Sequence, residues 1–284
     1  MKTMETTVPQ HLSRRETERA HLATLLGVEL DALGEDTKLR DELALDSLAM
    51  MRLLTWMEES GVEVDPRQAV PITVGEVLTL LEKAAARRMS IKVTRDGETI
   101  DIGPPARPPA PERDPLVPEL ATKTFRLMPI LPDDIGYLYG LATRPETCFR
   151  WRYRGAPPAL DKFAADLWSQ VLVQFTVRTA EANEIVGLVV AYNAGFAMRH
   201  VSVGAVFPPQ FVGTGAAAQA TTLFIKYLFH TFPLDKIYLE VPGFNWPQLR
   251  SGEGRLFTVE GILHDHDLYA GRPWDHRICA VYRE

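Results

Sequence analysis

Two short stretches carry residue types whose spacing bears on group-transfer chemistry: Leu45-Asp46-Ser47-Leu48, and Gln210-Phe211-Val212-Gly213-Thr214-Gly215-Ala216. Ser47 falls near the start of an amphipathic pattern in which Leu48, Met51 and Leu54, with Leu53 and Met57, form the apolar face of a helix predicted over residues 43–57. A hydroxyl at a helix N-terminus lies at the positive end of the helix dipole, a favourable place to carry a phosphate. In the second stretch, Gly213, Gly215 and small neighbours join a predicted strand to a predicted helix. Such a turn lets backbone N–H groups approach a phosphate, although glycines also simply make turns.

Two further clusters are weighed against them. Arg144, Arg150, Arg152 and Arg154 lie close together with only Glu146 opposing them, and in an extended run alternate side chains share a side. They read as a site for a carboxylate- or phosphate-bearing acceptor, as a dock for an acidic helix, or as a solvated loop. His264-Asp265-His266-Asp267 suggests metal ligation, but no third ligand follows at a convincing spacing, so an exposed hairpin is expected and no metal. The two cysteines, Cys148 and Cys279, support neither a disulfide framework nor a four-thiolate zinc site.

The elements that position these residues fall into two modules. Helical patterns over residues 16–26, 43–57 and 73–88 make a small bundle of three or four helices, with Thr73 and Glu76 spaced as a capping box. Residues 104–118 contain seven of the 21 prolines, a composition for an extended spacer rather than a packed element. Beyond it, strands are expected at 124–130, 171–178, 184–192, 200–207 and 236–241, with helices at 133–143, 160–170 and 215–230. A closing hairpin is expected to turn at Gly271. The expected domains are 12–88, a linker at 89–121, and 122–284.

Composition narrows the function classes. The 284 residues are 46% hydrophobic and 24% charged, an ordinary globular balance. No apolar run spans a bilayer and the first residues lack a signal-peptide core, so a cytoplasmic protein without a membrane partner is expected. The net charge of −6 argues against a general nucleic-acid binder. It is unevenly spread: residues 29–65 hold eleven acids against three bases, −8, leaving +2 for the remainder.

On Asp46-Ser47-Leu48, together with Leu26-Gly27-Val28, Thr37, Leu39, Gly61-Val62-Glu63-Val64 and Thr73-Val74-Gly75-Glu76, residues 12–88 resemble the acyl and peptidyl carrier proteins. That resemblance implies 4'-phosphopantetheine esterified to Ser47, a phosphopantetheinyl transferase as partner, and acyl-loading or acyl-modifying enzymes acting on the carrier. The acidic face would then dock basic partners. Gln210, Gly213 and Gly215 fill the Gln/Arg-x-x-Gly-x-Gly/Ala motif of the GNAT acyltransferases. With Asn245, the run from Phe257 to Gly261 and that from Gly271 to Asp275, they make residues 122–284 resemble the branch containing the ribosomal-protein N-terminal acetyltransferases. Asn245-Trp246-Pro247-Gln248 stands where that branch has Asn-x-x-Ser, and Gln219 where Glu is frequent, so its protein substrate is not carried over.

The fold class this implies is a small all-α carrier bundle followed by an α/β (α+β) GNAT fold with a mixed central sheet. The pantetheine arm would be bound by strand 202–207 and by Gln210, Val212, Gly213, Thr214, Gly215 and Ala216. No catalytic tyrosine stands near Asn245, so Glu240, His200, Ser202 and Asn245 are the acid/base candidates. The fusion suggests a carrier-dependent N-acyltransferase of natural-product biosynthesis that moves an acyl group from its own Ser47 arm to a small-molecule amine. The alternative is loading of that arm from CoA or acyl-CoA, with or without decarboxylation. A degenerate scaffold that only presents a carrier is the third reading.

Overall fold

The computed structural model describes residues 14–63, 71–88, 91–95, 98–102 and 117–283. They divide into two compact units: residues 1–44, 55–63 and 71–107, and residues 45–54, 64–70 and 108–284. The stretch holding Asp46 and Ser47 therefore groups with the second unit.

In the first unit, helix α1 spans Arg14–Leu26. Helix α2, Ser47–Glu59, contributes its final turns, and α3 spans Val74–Arg88. A 3-10 turn at Leu30–Ala32 lies between α1 and α2. Leu22, Val74, Val77, Leu78 and Leu81 are buried on their helices, and Leu33 and Leu39 are buried from the segment between α1 and α2. The capping box forms: Thr73 Oγ1 accepts from the Glu76 N–H at 3.3 Å, and Glu76 Oε2 accepts from the Thr73 N–H at 3.4 Å. Backbone bonds from Val74 N to Thr37 O and Gly75 N to Glu35 O tie the 34–39 loop to the start of α3.

The expected start of α2 at residue 43 is corrected to Ser47. Ala44 has φ +48°, outside helical space, and the Asp46 carboxylate caps the helix by accepting from Leu48 N at 3.1 Å and Ala49 N at 2.9 Å. Within residues 89–121, read as linker, strands β1 (Ile91–Arg95) and β2 (Glu98–Ile102) pair antiparallel. Most of the proline-rich 104–118 stretch lies outside the described residues.

The second unit is built on a seven-stranded sheet. Strand β3 (Phe125–Met128) is followed by helices α4 (Asp134–Thr143), α5 (Pro145–Cys148) and α6 (Leu160–Asp166). Then come β4 (Val171–Thr179), β5 (Ile185–Gly195), β6 (His200–Val206), α7 (Ala216–Thr231), β7 (Lys236–Pro242), β8 (Thr258–Tyr269) and β9 (Arg272–Tyr282). The spatial order is β3-β4-β5-β6-β7-β9-β8, antiparallel except for the β6–β7 pair.

That parallel pair follows from the crossover through α7, whose apolar face (Ala220, Leu223, Phe224, Leu228) packs on Phe175, Val177, Val189, Val201 and Ile237. A separate cluster joins Leu138, Leu141, Phe163 and Leu167 to Leu188 and Val206. The β6–β7 pairing ends at Val203–Leu239, although β6 continues to Val206 and β7 to Pro242. The two strands thus part company just before the turn that opens α7.

Candidate active site

Both stretches singled out by composition meet in the second unit. After β6 the chain makes a 3-10 turn at Pro209–Phe211, then passes through Gly213 (φ +73°) and Gly215 (φ +83°) into α7. These left-handed positions suit glycine and turn the Gly213 amide outward. Thr214 braces the turn, its Oγ1 donating to Phe211 O at 2.8 Å and accepting from Ala216 N at 3.3 Å. The Gly213 N–H donates to Ser47 Oγ at 3.1 Å. A Cβ built on Gly215 would stand 2.7 Å from Met51 N, so the first turns of α2 lie directly against the start of α7.

Asp46 does more than cap α2. Its Oδ2 accepts from Ser251 N at 2.7 Å and its Oδ1 from Ser251 Oγ at 2.5 Å. Leu48 is buried with Ala218, Val241, Phe257 and Cys279. Burial pushes the Cys279 thiol up to about 11. The four arginines have other contacts. Arg150 Nε donates to Tyr269 Oη at 3.2 Å, Arg152 Nη1 donates to Asp166 O at 3.1 Å, and Arg154 pairs with Asp267 at 3.3 Å. Arg144 lies between α4 and α5.

A cleft of about 1470 Å³ opens where β6 and β7 separate. Ser47, Leu48 and Val212 line it together with Gly204 to Val206, the Leu239 to Pro242 end of β7, and Asn245. Gln210 is exposed beside it.

Of the acid/base candidates, Glu240 and Asn245 line the cleft, and Ser202 Oγ donates to Glu240 Oε1 at 3.2 Å. His200 is placed elsewhere: it pairs with Gly195 and Lys236 at the far end of β6, against the Tyr238 ring, with a buried Nδ1 that has no hydrogen-bond partner among the described residues.

Three groups that sequence reasoning passed over belong to the same unit. Tyr192 lies opposite Ser202 on β5 and lines the cleft. Burial first, and then the Glu240 carboxylate, push its hydroxyl up to about 12, against the opposing effect of Arg152 and Arg154. Ser251 holds Asp46, but nothing in its sequence surroundings marks it. His276 lines the cleft beside Asp267, a residue read as part of an exposed hairpin. No group of three or more potential metal ligands occurs among the described residues, and no helix there is long and apolar enough to cross a membrane.

Comparison with known proteins finds two families that match successive parts of the chain. Residues 19–80 match the family described as a phosphopantetheine attachment site, and residues 124–250 match the acetyltransferase (GNAT) domain. No curated protein sequence matches. Among solved structures, the spermidine N-acetyltransferase of Vibrio cholerae in complex with CoA and spermine is similar at 19% identity and a TM-score of 0.50, over 57% of this chain and 96% of that one. A spermidine/spermine N-acetyltransferase from the same organism, in complex with manganese ions, gives 20% identity and a TM-score of 0.47 over 56% and 92%. At such identities the likeness concerns the fold alone.

Proposed function

We propose that this chain, in which a match to the phosphopantetheine attachment site family is followed by a match to the acetyltransferase (GNAT) domain, is a carrier-linked N-acyltransferase whose acyl donor is the arm on its own Ser47 and whose acceptor is a small-molecule amine. The observation that carries this reading is the 3.1 Å contact between Gly213 N and Ser47 Oγ. The attachment oxygen stands at the glycine turn that opens α7, where an N–H and the helix dipole favour a phosphate. One cleft is lined both by Ser47 and by the parted ends of β6 and β7. These residues fit 4'-phosphopantetheine: Ser47 would hold it covalently, Gly213 to Ala216 would meet its phosphate, and the cleft would take the arm. When bound, the group supplies a thiol that carries the acyl unit as a thioester.

The chain's own residues then have defined parts. Asp46 and Leu48 keep Ser47 at the turn. Tyr192 Oη, with its pKa near 12, retains its proton at neutral pH and is a proton donor inside the cleft. Glu240 holds Ser202 and keeps negative charge beside Tyr192. Tethering raises the local donor concentration to roughly millimolar without requiring a strong interface. Around the cleft, Arg150, Arg152, Arg154, Lys226, Arg255 and Arg283 outnumber Glu146 and Glu240. That field supports an acceptor with an anionic group next to its amine rather than a polycation.

The reverse flow, loading of the arm from CoA, is favoured less because the first turns of α2 stand against Gly215, where a CoA pyrophosphate would compete with them. Intact-protein mass spectrometry separates the two readings. A chain carrying an acetylated arm discharges to an amine with a first-order rate independent of protein concentration, and Ser47→Ala with acetyl-CoA gives no comparable product. If Ser47→Ala with acetyl-CoA matches wild type, the donor reading is wrong. If the free arm gains an acetyl mass from acetyl-CoA alone, the flow runs the other way.

A further inference from the structure

We propose that His276 is the base that removes a proton from the incoming amine, with Asp267 as its positioning residue; this rests on the acceptor reading above. His276 Nδ1 lies 2.8 Å from Asp267 Oδ2. Both side chains are more than nine-tenths buried, at 7% and 9% exposure. A carboxylate only accepts, so Nδ1 carries a proton, and in the neutral imidazole Nε2 then keeps its lone pair, the tautomer a base requires. Nε2 has no hydrogen-bond partner among the described residues, and His276 lines the same cleft as Ser47, Tyr192, Glu240 and Asn245.

The arrangement depends on a local irregularity that is independent of the core. Along the β8–β9 ladder, Leu263 faces His276 and Asp267 faces Trp274, so three residues of β8 stand against Asp275 alone. Asp265, with φ +53°, lies within this bulge. A bulge re-aims the side chains beside it, and here Asp267 reaches back to His276. Arg154 Nη2 pairs with Asp267 Oδ1 at 3.3 Å, fixing the carboxylate from the loop after α5. The His266 ring packs edge-on to His276 at 5.2 Å between centroids. Thus, among the described residues, Arg154 and His266 are the charged or titratable side chains in contact with the pair. On the other side, His276 faces Pro242 at the end of β7, two residues beyond Glu240.

In the step itself, one N–H bond of the ammonium breaks and an Nε2–H bond forms. The amine keeps the electron pair with which it would attack the acyl carbon; as the C–S bond breaks, the second proton lost from nitrogen would go to the departing sulfur, which leaves as the free thiol, and the imidazolium charge is held by Asp267. General bases of this kind contribute typically about 10²- to 10⁴-fold.

The test uses the full chain with an acetylated arm on Ser47 and two isosteric probes. β-Alanine is protonated at neutral pH; aminooxyacetate, in which oxygen replaces one methylene, is not. In His276→Gln, discharge to β-alanine falls about 100-fold or more and recovers as pH is raised, while discharge to aminooxyacetate stays at the wild-type rate. In the chain without its arm, ¹⁵N NMR reports the Nδ1–H tautomer for wild-type His276 and a mixture in Asp267→Asn. Equal loss with both probes, or no loss with β-alanine, overturns the base role. So does a wild-type Nε2–H tautomer. If wild type discharges to neither probe while its arm is loaded, the acceptor reading itself fails, and this proposal with it.

Discussion

Replacing Ser251 with Ala tests whether the contact at Asp46 governs Ser47. Ser251 gives Asp46 two hydrogen bonds, of which the substitution removes the hydroxyl one at 2.5 Å and leaves the backbone one at 2.7 Å. Asp46 is buried, with 7% of its surface exposed, and hydrogen bonds to a charged acceptor contribute about 1.5–3 kcal/mol. At about 1.4 kcal/mol per factor of ten, the population in which Ser47 has left the Gly213 turn rises roughly 10- to 150-fold. Ser47 itself is only 6% exposed, so a phosphopantetheinyl transferase acts on that open population. The initial rate at which the arm is added, read by intact-mass spectrometry, therefore increases by about the same factor. Discharge of a loaded arm to an amine falls only by the share of the closed population that is lost, a much smaller change than the gain in arm addition, while the urea midpoint of the second unit stays near wild type. Unchanged arm addition together with unchanged discharge would show that Asp46–Ser251 does not hold Ser47 in place.

The other predictions address separate parts of the second unit. Gly215→Ala places a Cβ at φ +83° and 2.7 Å from Met51 N; it costs about 1–3 kcal/mol of backbone strain in urea denaturation and slows discharge of the loaded arm more than tenfold. Tyr192 titrates high, so its contribution to stability is fully present below the ordinary value of 10.0 and is lost as pH rises toward about 12; the wild-type denaturation midpoint falls across that window more steeply than that of Tyr192→Phe. Arg178→Met strips the partner from Asp134, a pair at 2.6 Å with side-chain exposures of 12% and 6%, and lowers stability by about 3–5 kcal/mol, whereas Arg178→Met with Asp134→Leu regains part of the loss in the same urea titration.

What the sequence made legible was local chemistry. The capping box at Thr73 and Glu76, the amphipathic faces of α1, α3 and α7, and the two glycines before α7 are set by residues within one or two turns, and they stand where their spacing places them. The start of α2 slipped by four residues because apolar periodicity extends back to Leu43, whereas the cap belongs to Asp46. Cross-strand pairing was not legible. The parting of β6 from β7 depends on a register, and Asp267 reaches His276 only because β8 carries a bulge opposite Asp275. No period-2 alternation announces a bulge, so His264 to Asp267 looked like an exposed hairpin.

The arginines show how little geometry charge alone specifies. An acidic segment and a basic run in one chain suggest an ionic dock, yet exposed ion pairs contribute little and fix no geometry. The start of α2 is held instead by a buried carboxylate with four hydrogen bonds, two to its own helix and two to Ser251, and by Leu48 in an apolar pocket. These interactions are short and directional, so they set Ser47 Oγ within hydrogen-bond distance of one amide. The guanidinium groups are left for the cleft: Arg150 holds Tyr269, and Arg154 fixes the carboxylate that orients His276. Directional bonds thus place Ser47 Oγ in the lining of the cleft, and the arginines line that same cleft.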